Sequence, residues 1–310
     1  MHFRLVLTAF VLLVAASMES QSARKTIISL HKTLGSDYAC EVYQRPIQFL
    51  SEDELVLLAG PTSDCYRGVN NNQLVVISLD RHVIARKAWP STDPGTVFSG
   101  KRLAVAASEQ LLILDDHLTV VQSFPLPKHR GFPILYGTEG GLSVDTDGGS
   151  LDCDGTPLKC IERKTGLQPD VDGYLIHSFD DGRKLLRKDE SLIETAPGAS
   201  PKKIADLSWV SPHCEKYEYC QAYDAGTRYQ VVNGKRRRVL IMSNGSKYPI
   251  TDAAGLFPFF RIQVFDLDVG SEIYREEDVL RTGHRSAVIS PDGDLLATFN
   301  GLETVIHHLD

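Results

Sequence analysis

Apolar positions along this chain come in short runs and not at helical spacing. "QLVVISL" (73–79), "EQLLILD" (109–115), "RYQVVNG" (228–234), "RRVLIMS" (237–243) and "RIQVFDL" (261–267) are rich in Val, Ile and Leu and are divided by Gly, Asp, Asn and Pro. Runs of this length and composition predict β-strands, since β-branched side chains pack well on a pleated surface and the dividing residues suit turns. No stretch beyond the first 22 residues sustains a helical period, so the pattern predicts an all-β protein.

The strands come in hairpins that resemble one another. "VISPDGDLLA" (288–297) is an apolar strand end, a turn and a second apolar run. In the turn, Pro291 presets φ and Gly293 accepts positive φ. The outline recurs in "FLSEDELVLL" (49–58), "VFSGKRLAVA" (97–106), "LYGTEGGLSV" (135–144) and "HSFDDGRKLL" (177–186), and more weakly in "WVSPHCEKYEYC" (209–220) and "PITDAAGLFPFF" (249–260). Successive turns are then some 30 to 50 residues apart, the period of a propeller blade built from four short strands. That spacing is too long for the hairpins of one closed barrel.

Near its end the chain resembles a known family. "RIQVFDLDVGSEIY" (261–274) followed by "GHRSAVISPDGDLLAT" (283–298) is similar to the join between two blades of WD-repeat and YVTN-type β-propellers. The resemblance implies a propeller fold. In WD repeats a Gly-His pair, a turn Asp, a strand Ser or Thr and a Trp form a hydrogen-bonded tetrad. Gly283 and His284 match the pair and Thr298 the strand hydroxyl, whereas Phe265 stands in the Trp position and Asn300 where the turn Asp falls.

The last residues still read as strand, so the final blade has only three strands of its own. "KTIISLHKTL" (25–34) is the candidate fourth, brought from the other end of the chain to close the ring. Closure also removes a sheet edge that would otherwise invite association. Turns near 51, 99, 137, 180, 211, 252 and 290 give about seven blades, with six as the alternative if the weak members are not blades. The expectation is one propeller over residues 23–310.

Residues 1–22 read as a secretory signal. Arg4 supplies a short basic start and "LVLTAFVLLVAA" (5–16) an apolar segment too short to span a bilayer. No later apolar run reaches membrane length, so a secreted or periplasmic protein without a membrane span is expected. All six cysteines follow this segment, an even number suited to an oxidising compartment. Their spacing favours neighbours, Cys40–Cys65, Cys153–Cys160 and Cys214–Cys220, the last two each closing a short segment. The usual C-x₂₋₄-C spacing of a zinc site is absent.

Charge narrows the partners. Lys and Arg number 33 against 40 Asp and Glu, a net charge of −7, which is the opposite of a nucleic-acid footprint. "KRRR" (235–238) reads as a basic edge strand that discourages strand-to-strand association, with an acidic partner as the alternative.

The chain carries no G-x-S-x-G elbow, H-E-x-x-H, P-loop or G-x-G-x-x-G. Its most suggestive cluster is "DTDGGSLDCDG" (145–155), where Asp145, Asp147, Asp152 and Asp154 are hard oxygen donors among glycines, as Ca²⁺ prefers. Solvated turn aspartates beside a disulfide are the plainer reading, and no cofactor is expected. His284 reads as a structural residue between blades, and strand alternation puts His307 and His308 on opposite faces, one packed and one exposed. Trp209, Tyr217 and Tyr219 surround the Cys214–Cys220 segment and form a candidate recognition patch, with packing between blades as the alternative.

Two function classes remain. The first is a non-enzymatic exported propeller that binds a protein or polymer partner. The second is a propeller enzyme acting on small molecules, such as a lactonase or another hydrolase, with its site at the channel mouth and possible dependence on Ca²⁺. Fold alone does not separate them.

Overall fold

The computed structural model describes residues 25–35, 38–41, 47–61, 72–89, 95–98, 101–107, 109–128, 133–137, 141–146, 148–163, 174–208, 228–245, 259–279, 286–299 and 303–309. These segments form six antiparallel sheets arranged as a β-propeller. The apolar signal segment lies outside the described residues.

The chain enters the ring through β1 (Lys25–Ser29), which belongs to the last blade. Blade 1 is then formed by β2 (Tyr38–Glu41), β3 (Ile47–Phe49), β4 (Glu54–Pro61), β5 (Asn72–Ser78) and β6 (Val83–Trp89). Strands β2 and β3 follow one another along the same edge of β4, with Glu41 opposite Ala59 and Ile47 opposite Leu57, so they act as one interrupted strand. Blade 2 is β7 (Thr96–Phe98), β8 (Arg102–Ala107), β9 (Gln110–Leu114) and β10 (Val120–Pro125). Blade 3 is β11 (Ile134–Gly137), β12 (Gly141–Thr146), β13 (Gly149–Asp154) and β14 (Lys159–Arg163).

Blade 4 is β15 (Tyr174–Ser178), β16 (Lys184–Lys188), β17 (Ser191–Thr195) and β18 (Lys202–Asp206). Blade 5 is β19 (Arg228–Asn233), β20 (Arg237–Gly245), β21 (Phe259–Asp266) and β22 (Ser271–Val279). Blade 6 is β23 (Ser286–Ile289), β24 (Leu295–Phe299) and β25 (Glu303–His308), completed by β1 on its outer edge. Lys25 pairs with His307 and Ser29 with Glu303, so the start of the propeller is stitched to its end.

Among the described residues the ring has six blades, the lower of the two expected counts. The hairpin of blade 5 turns at residues 234–236, between β19 and β20, and neither weak turn motif opens a blade among the described residues. Residues 211 and 252 themselves fall outside the described residues. The closing strand is also shorter than expected. Only Lys25–Ser29 is extended, and Leu30–Leu34 forms a single helical turn, α1. Leu30 and Leu34, one turn apart, are both buried there, Thr33 Oγ1 donates to the Ser29 carbonyl, and Gly35 at φ 100° ends the turn.

The core lies between blades, where the faces of neighbouring sheets meet. Ile28, Ile306, Ala297 and Phe299 of blade 6 pack on Leu55, Leu57 and Val75 of blade 1. On the opposite face, Leu296, Ala287 and Ile289 pack on Leu240, Ile262 and Val264 of blade 5. Blade 6 therefore separates two interblade cores, and β1 adds Ile28 to the one it shares with blade 1.

Basic residues 235–238 are not an edge. Arg237 and Arg238 begin β20, an interior strand of its sheet flanked by β19 and β21. Arg238 is 1% exposed, and its Nη1 donates to the carbonyls of Gly293 and Leu309 while Asp266 stands 3.8 Å from Nε. A buried guanidinium is tolerated because carbonyls and a carboxylate surround it. The charge run signals a blade-to-blade brace, which corrects the edge-strand expectation.

Candidate functional site

Blades 5 and 6 separate at their outer strands to leave a groove of about 490 Å³. One wall is β22. The other is the face of β25 and β1 that carries Glu303, Val305 and His307 alongside Lys25 and Ile27. Alternation explains this composition: Thr304 and Ile306 turn the other way, toward blade 1, and are each 1% exposed.

At one end of the groove His307 meets hydroxyl groups backed by a carboxylate. Its Nε2 is 3.2 Å from Thr298 Oγ1 and 3.4 Å from Tyr274 Oη, and Tyr274 donates to Glu276 Oε2 at 2.8 Å. The Tyr274 and His307 rings meet edge to face, with centroids 5.1 Å apart. Burial first, and then Lys25 beside it, push the His307 imidazole below its usual pKa, while Glu276 pulls it the other way. The ring is thereby held neutral among hydrogen-bonding partners. His308 faces solvent, as the alternation of the strand dictates.

The groove changes character along its length. Lys25 and His307 stand at one end, Ile27 pairs with Val305 in the middle, and Ser29 pairs with Glu303 at the other end. Lys25 and Ser29 are four residues apart, about 13 Å in extended chain. Ile27 is 47% exposed, so an apolar side chain lies uncovered between the end at Lys25 and the end at Glu303. Arg275, near the β22 rim, is matched by both carboxylate oxygens of Glu272 at 2.7 and 2.8 Å.

Three aspartates of the acidic cluster read in the sequence lie on paired strands. Asp145, Asp152 and Asp154 lie on β12 and β13, whose Leu142, Val144, Leu151 and Cys153 are buried, and Asp152 accepts a hydrogen bond from Ser143. Asp147 lies outside the described residues. Among the described residues, Asp115, Asp116 and His117 in the β9–β10 turn bring their ligand atoms together. Its atoms already have work: Asp115 accepts from the backbone N–H of His117 and Thr119, and Asp116 pairs with His117 Nδ1 at 2.6 Å. This is a turn capped by its own side chains.

Cys153 and Cys160 face each other across β13 and β14 and form a disulfide. Cys40 has a described backbone in β2, opposite Gly60, but its side chain and Cys65, Cys214 and Cys220 fall outside the described residues. So do Trp209, Tyr217 and Tyr219 of the candidate recognition patch, and Gly283 and His284 of the tetrad motif. Thr298 is described, and its hydroxyl partner is His307. Pro291 and Gly293 shape the β23–β24 turn, where Gly293 at φ 87° donates its N–H to the Ser290 carbonyl at 2.9 Å.

The groove escaped the sequence reading. Its residues come from positions 25 and 27, 274–276, 298–299 and 303–307, and the sole local signal was the alternation of "TVIHH" at 304–308.

Comparisons with known proteins return no family. No protein-family model and no curated protein matches the chain. Among solved structures, Hsv2p of Kluyveromyces lactis is similar at 14% identity, covering 83% of this chain and 72% of that one with a TM-score of 0.38. A catalytically inactive virginiamycin B lyase from Staphylococcus aureus, solved with quinupristin, is similar at 10% identity, covering 93% and 99% of the two chains with a TM-score of 0.42. Among the described residues no helix is long and apolar enough to cross a membrane.

Proposed function

We propose that this protein is an exported β-propeller that works as a non-enzymatic protein-binding module, with the groove between blades 5 and 6 as its contact site. The observation that carries this reading is the composition of the groove: charged groups at its two ends, an uncovered apolar middle and rigid strands for walls. Such a site offers hydrophobic area together with a few polar groups that fix orientation, on elements that do not have to be ordered on binding. Export is supported by the apolar segment at residues 5–16 and by the Cys153–Cys160 disulfide.

The test is thermal unfolding of the oxidised protein against a panel of peptides, Ca²⁺ with and without EGTA, and small lactones. A saturable rise in the midpoint with peptide, lost when Ile27 is changed to Asp, supports the binding module. Catalytic turnover of a defined small molecule at this groove overturns it. Sequencing of the mature N-terminus and fractionation of the host separately test export.

A second reading has its own observation. Glu276, Tyr274 and His307 form a carboxylate, hydroxyl and imidazole chain with the ring held neutral, an arrangement able to accept a proton. In this reading the protein is a propeller enzyme of the lactonase or other hydrolase type. Ester or lactone hydrolysis by the native protein, abolished in His307→Gln with folding retained, would establish it.

A further inference from the structure

Apolar cores join blades 6 and 1, 1 and 2, 2 and 3, 4 and 5, and 5 and 6 among the described residues. The surfaces that blades 3 and 4 turn toward each other are of a different kind. On blade 3, Leu142, Val144, Leu151 and Cys153 pack toward blade 2, so alternation turns Ser143, Asp145, Ser150, Asp152 and Asp154 the other way. The hydrogen bond from Ser143 to Asp152 shows two of these side chains sharing that face. Asp145 and Asp154 are exposed, although β12 and β13 are the interior strands of their sheet. On interior β24 of blade 6, by contrast, Leu296 toward one neighbour and Ala297 toward the other are both 0% exposed.

Blade 4 faces these aspartates with lysines. Leu185 and Leu192 pack toward blade 5, which leaves Lys184, Leu186, Lys188 and Ile193 on the side toward blade 3. Lys203 joins them, because it pairs with Ile193 across β17 and β18. All three lysines are exposed, while Leu186 in their midst is 6% exposed. Beside this centre, Leu175 on β15, opposite Leu186, is 42% exposed, and Ile161 on β14, opposite Asp152, is 69% exposed. Lys159 lies across from Asp154 and offsets part of its charge.

We propose that the junction of blades 3 and 4 is an electrostatic latch, the place where the ring opens while its other junctions stay packed. This goes beyond the groove between blades 5 and 6 and does not depend on it. Aspartates on one face and lysines on the other attract, yet parting them uncovers little apolar surface beyond Leu186 and Ile193. Opening at any other junction exposes a whole apolar core to water, which costs far more. The free energy of a local opening follows such differences, so the most polar junction opens first. Asp152 and Lys188 have partners of their own, and the attraction is therefore between the two faces as wholes. An open latch gives side access to the interior of the ring between β11 and β15, the strands that begin these two blades.

The experiment places one cysteine in the oxidised full-length protein and follows its reaction with a maleimide under native conditions, with the unsubstituted protein as background. Leu186→Cys reports on the latch. Leu103→Cys and Leu240→Cys, at positions 0% exposed in the cores of blades 1 and 2 and of blades 5 and 6, report on packed junctions. The thiol at 186 is expected to react roughly tenfold or more faster than the other two, at a rate nearly independent of urea below the unfolding transition, as a local opening does. Raising the salt from about 0.1 M to about 1 M shortens the Debye length from about 10 Å to about 3 Å and should speed the reaction at 186 a further twofold to threefold, leaving 103 and 240 unchanged.

A second measurement needs no substitution. Carbodiimide cross-linking of the native protein at low salt should join Asp145, Asp152 or Asp154 to Lys184, Lys188 or Lys203. Equal rates at 186 and 240, rising together with urea, mean that the junction opens only when the whole protein unfolds, and overturn the proposal. A rate at 186 that ignores salt, or aspartates that cross-link only within blade 3, overturns the latch as well.

Discussion

Gln230 reaches across a blade boundary to both backbone polar groups of Ile289. Its Nε2 donates to the Ile289 carbonyl at 3.0 Å and its Oε1 accepts from the Ile289 N–H at 2.8 Å. Gln48 makes a similar pattern between blades 1 and 2, donating to the Gly95 carbonyl at 2.7 Å and accepting from the Val97 N–H at 2.9 Å. Both glutamines lie on the strand edge that opens their blades. A side-chain amide with donor and acceptor thus stands in for the neighbouring strand that a backbone at a blade edge lacks.

Replacing Gln230 by Leu should therefore weaken the fold by more than a surface change would. It leaves an N–H and a carbonyl of Ile289 without these partners, at a cost of about 1 to 3 kcal/mol. Urea unfolding should show a lower midpoint at unchanged slope. Gln48→Leu should behave alike at its own junction, and the two losses should add because the sites are on different blade pairs.

Arg238 should be far more sensitive than its neighbour Arg236. Arg238 is 1% exposed and holds the turn at Gly293 and the chain end at Leu309, whereas the Arg236 side chain is 52% exposed. Arg238→Ala takes this partner from Asp266 and two carbonyls in the core and should cost about 3 to 5 kcal/mol. Arg236→Ala should stay within about 0.5 kcal/mol. Parallel thermal melts check the contrast.

Glycine at 234 is required by close approach. A Cβ there would sit 2.2 Å from the Pro291 carbonyl oxygen, where the β19–β20 turn touches the β23–β24 turn. Gly234→Ala must push the turns of blades 5 and 6 apart and should cost about 1 to 3 kcal/mol. Gly198 is the comparison, since a methyl there would meet nothing within 4 Å although φ is +72°. Alanine at that position meets backbone strain alone, about 1 to 2 kcal/mol. Urea unfolding of Gly198→Ala should therefore keep the blade 5 to blade 6 contacts, whereas amide exchange in both turns should quicken in Gly234→Ala.

His307 should make the seam between β1 and β25 sensitive to acid. Thr298, Tyr274, Glu276 and Lys25 face it, and burial followed by Lys25 lowers its folded pKa. The unfolded chain takes up this proton first, so the contribution to stability is complete above about pH 6.5 and is lost as pH falls from there through the folded pKa. Wild type should lose more stability than His307→Gln between about pH 8 and pH 5 in urea titrations. His177, also lowered mainly by burial, titrates alike in both proteins and cancels.

The local elements were legible because their causes are local. The Ser290–Gly293 turn needs a fixed φ and then a positive one, which Pro291 and Gly293 provide, and the flanking apolar runs are strands. Closure by residues 25–29 followed from the same reasoning, since three strands at the chain end need a fourth. What the pattern could not reveal was how a charge run behaves once another blade supplies partners. Residues 235–238 look like a solvated edge until Gly293, Leu309 and Asp266 surround Arg238.

The sequence by itself determined the all-β class, the recurring hairpins and the strand that closes the ring, because turn chemistry and two-residue alternation act over neighbouring positions. Tertiary structure decided the number of blades, the inward path of Arg238 and the groove. The groove depends on groups from separate blades, as when Tyr274 of blade 5 comes to lie against His307 of blade 6, and only packing of one blade on the next brings them together.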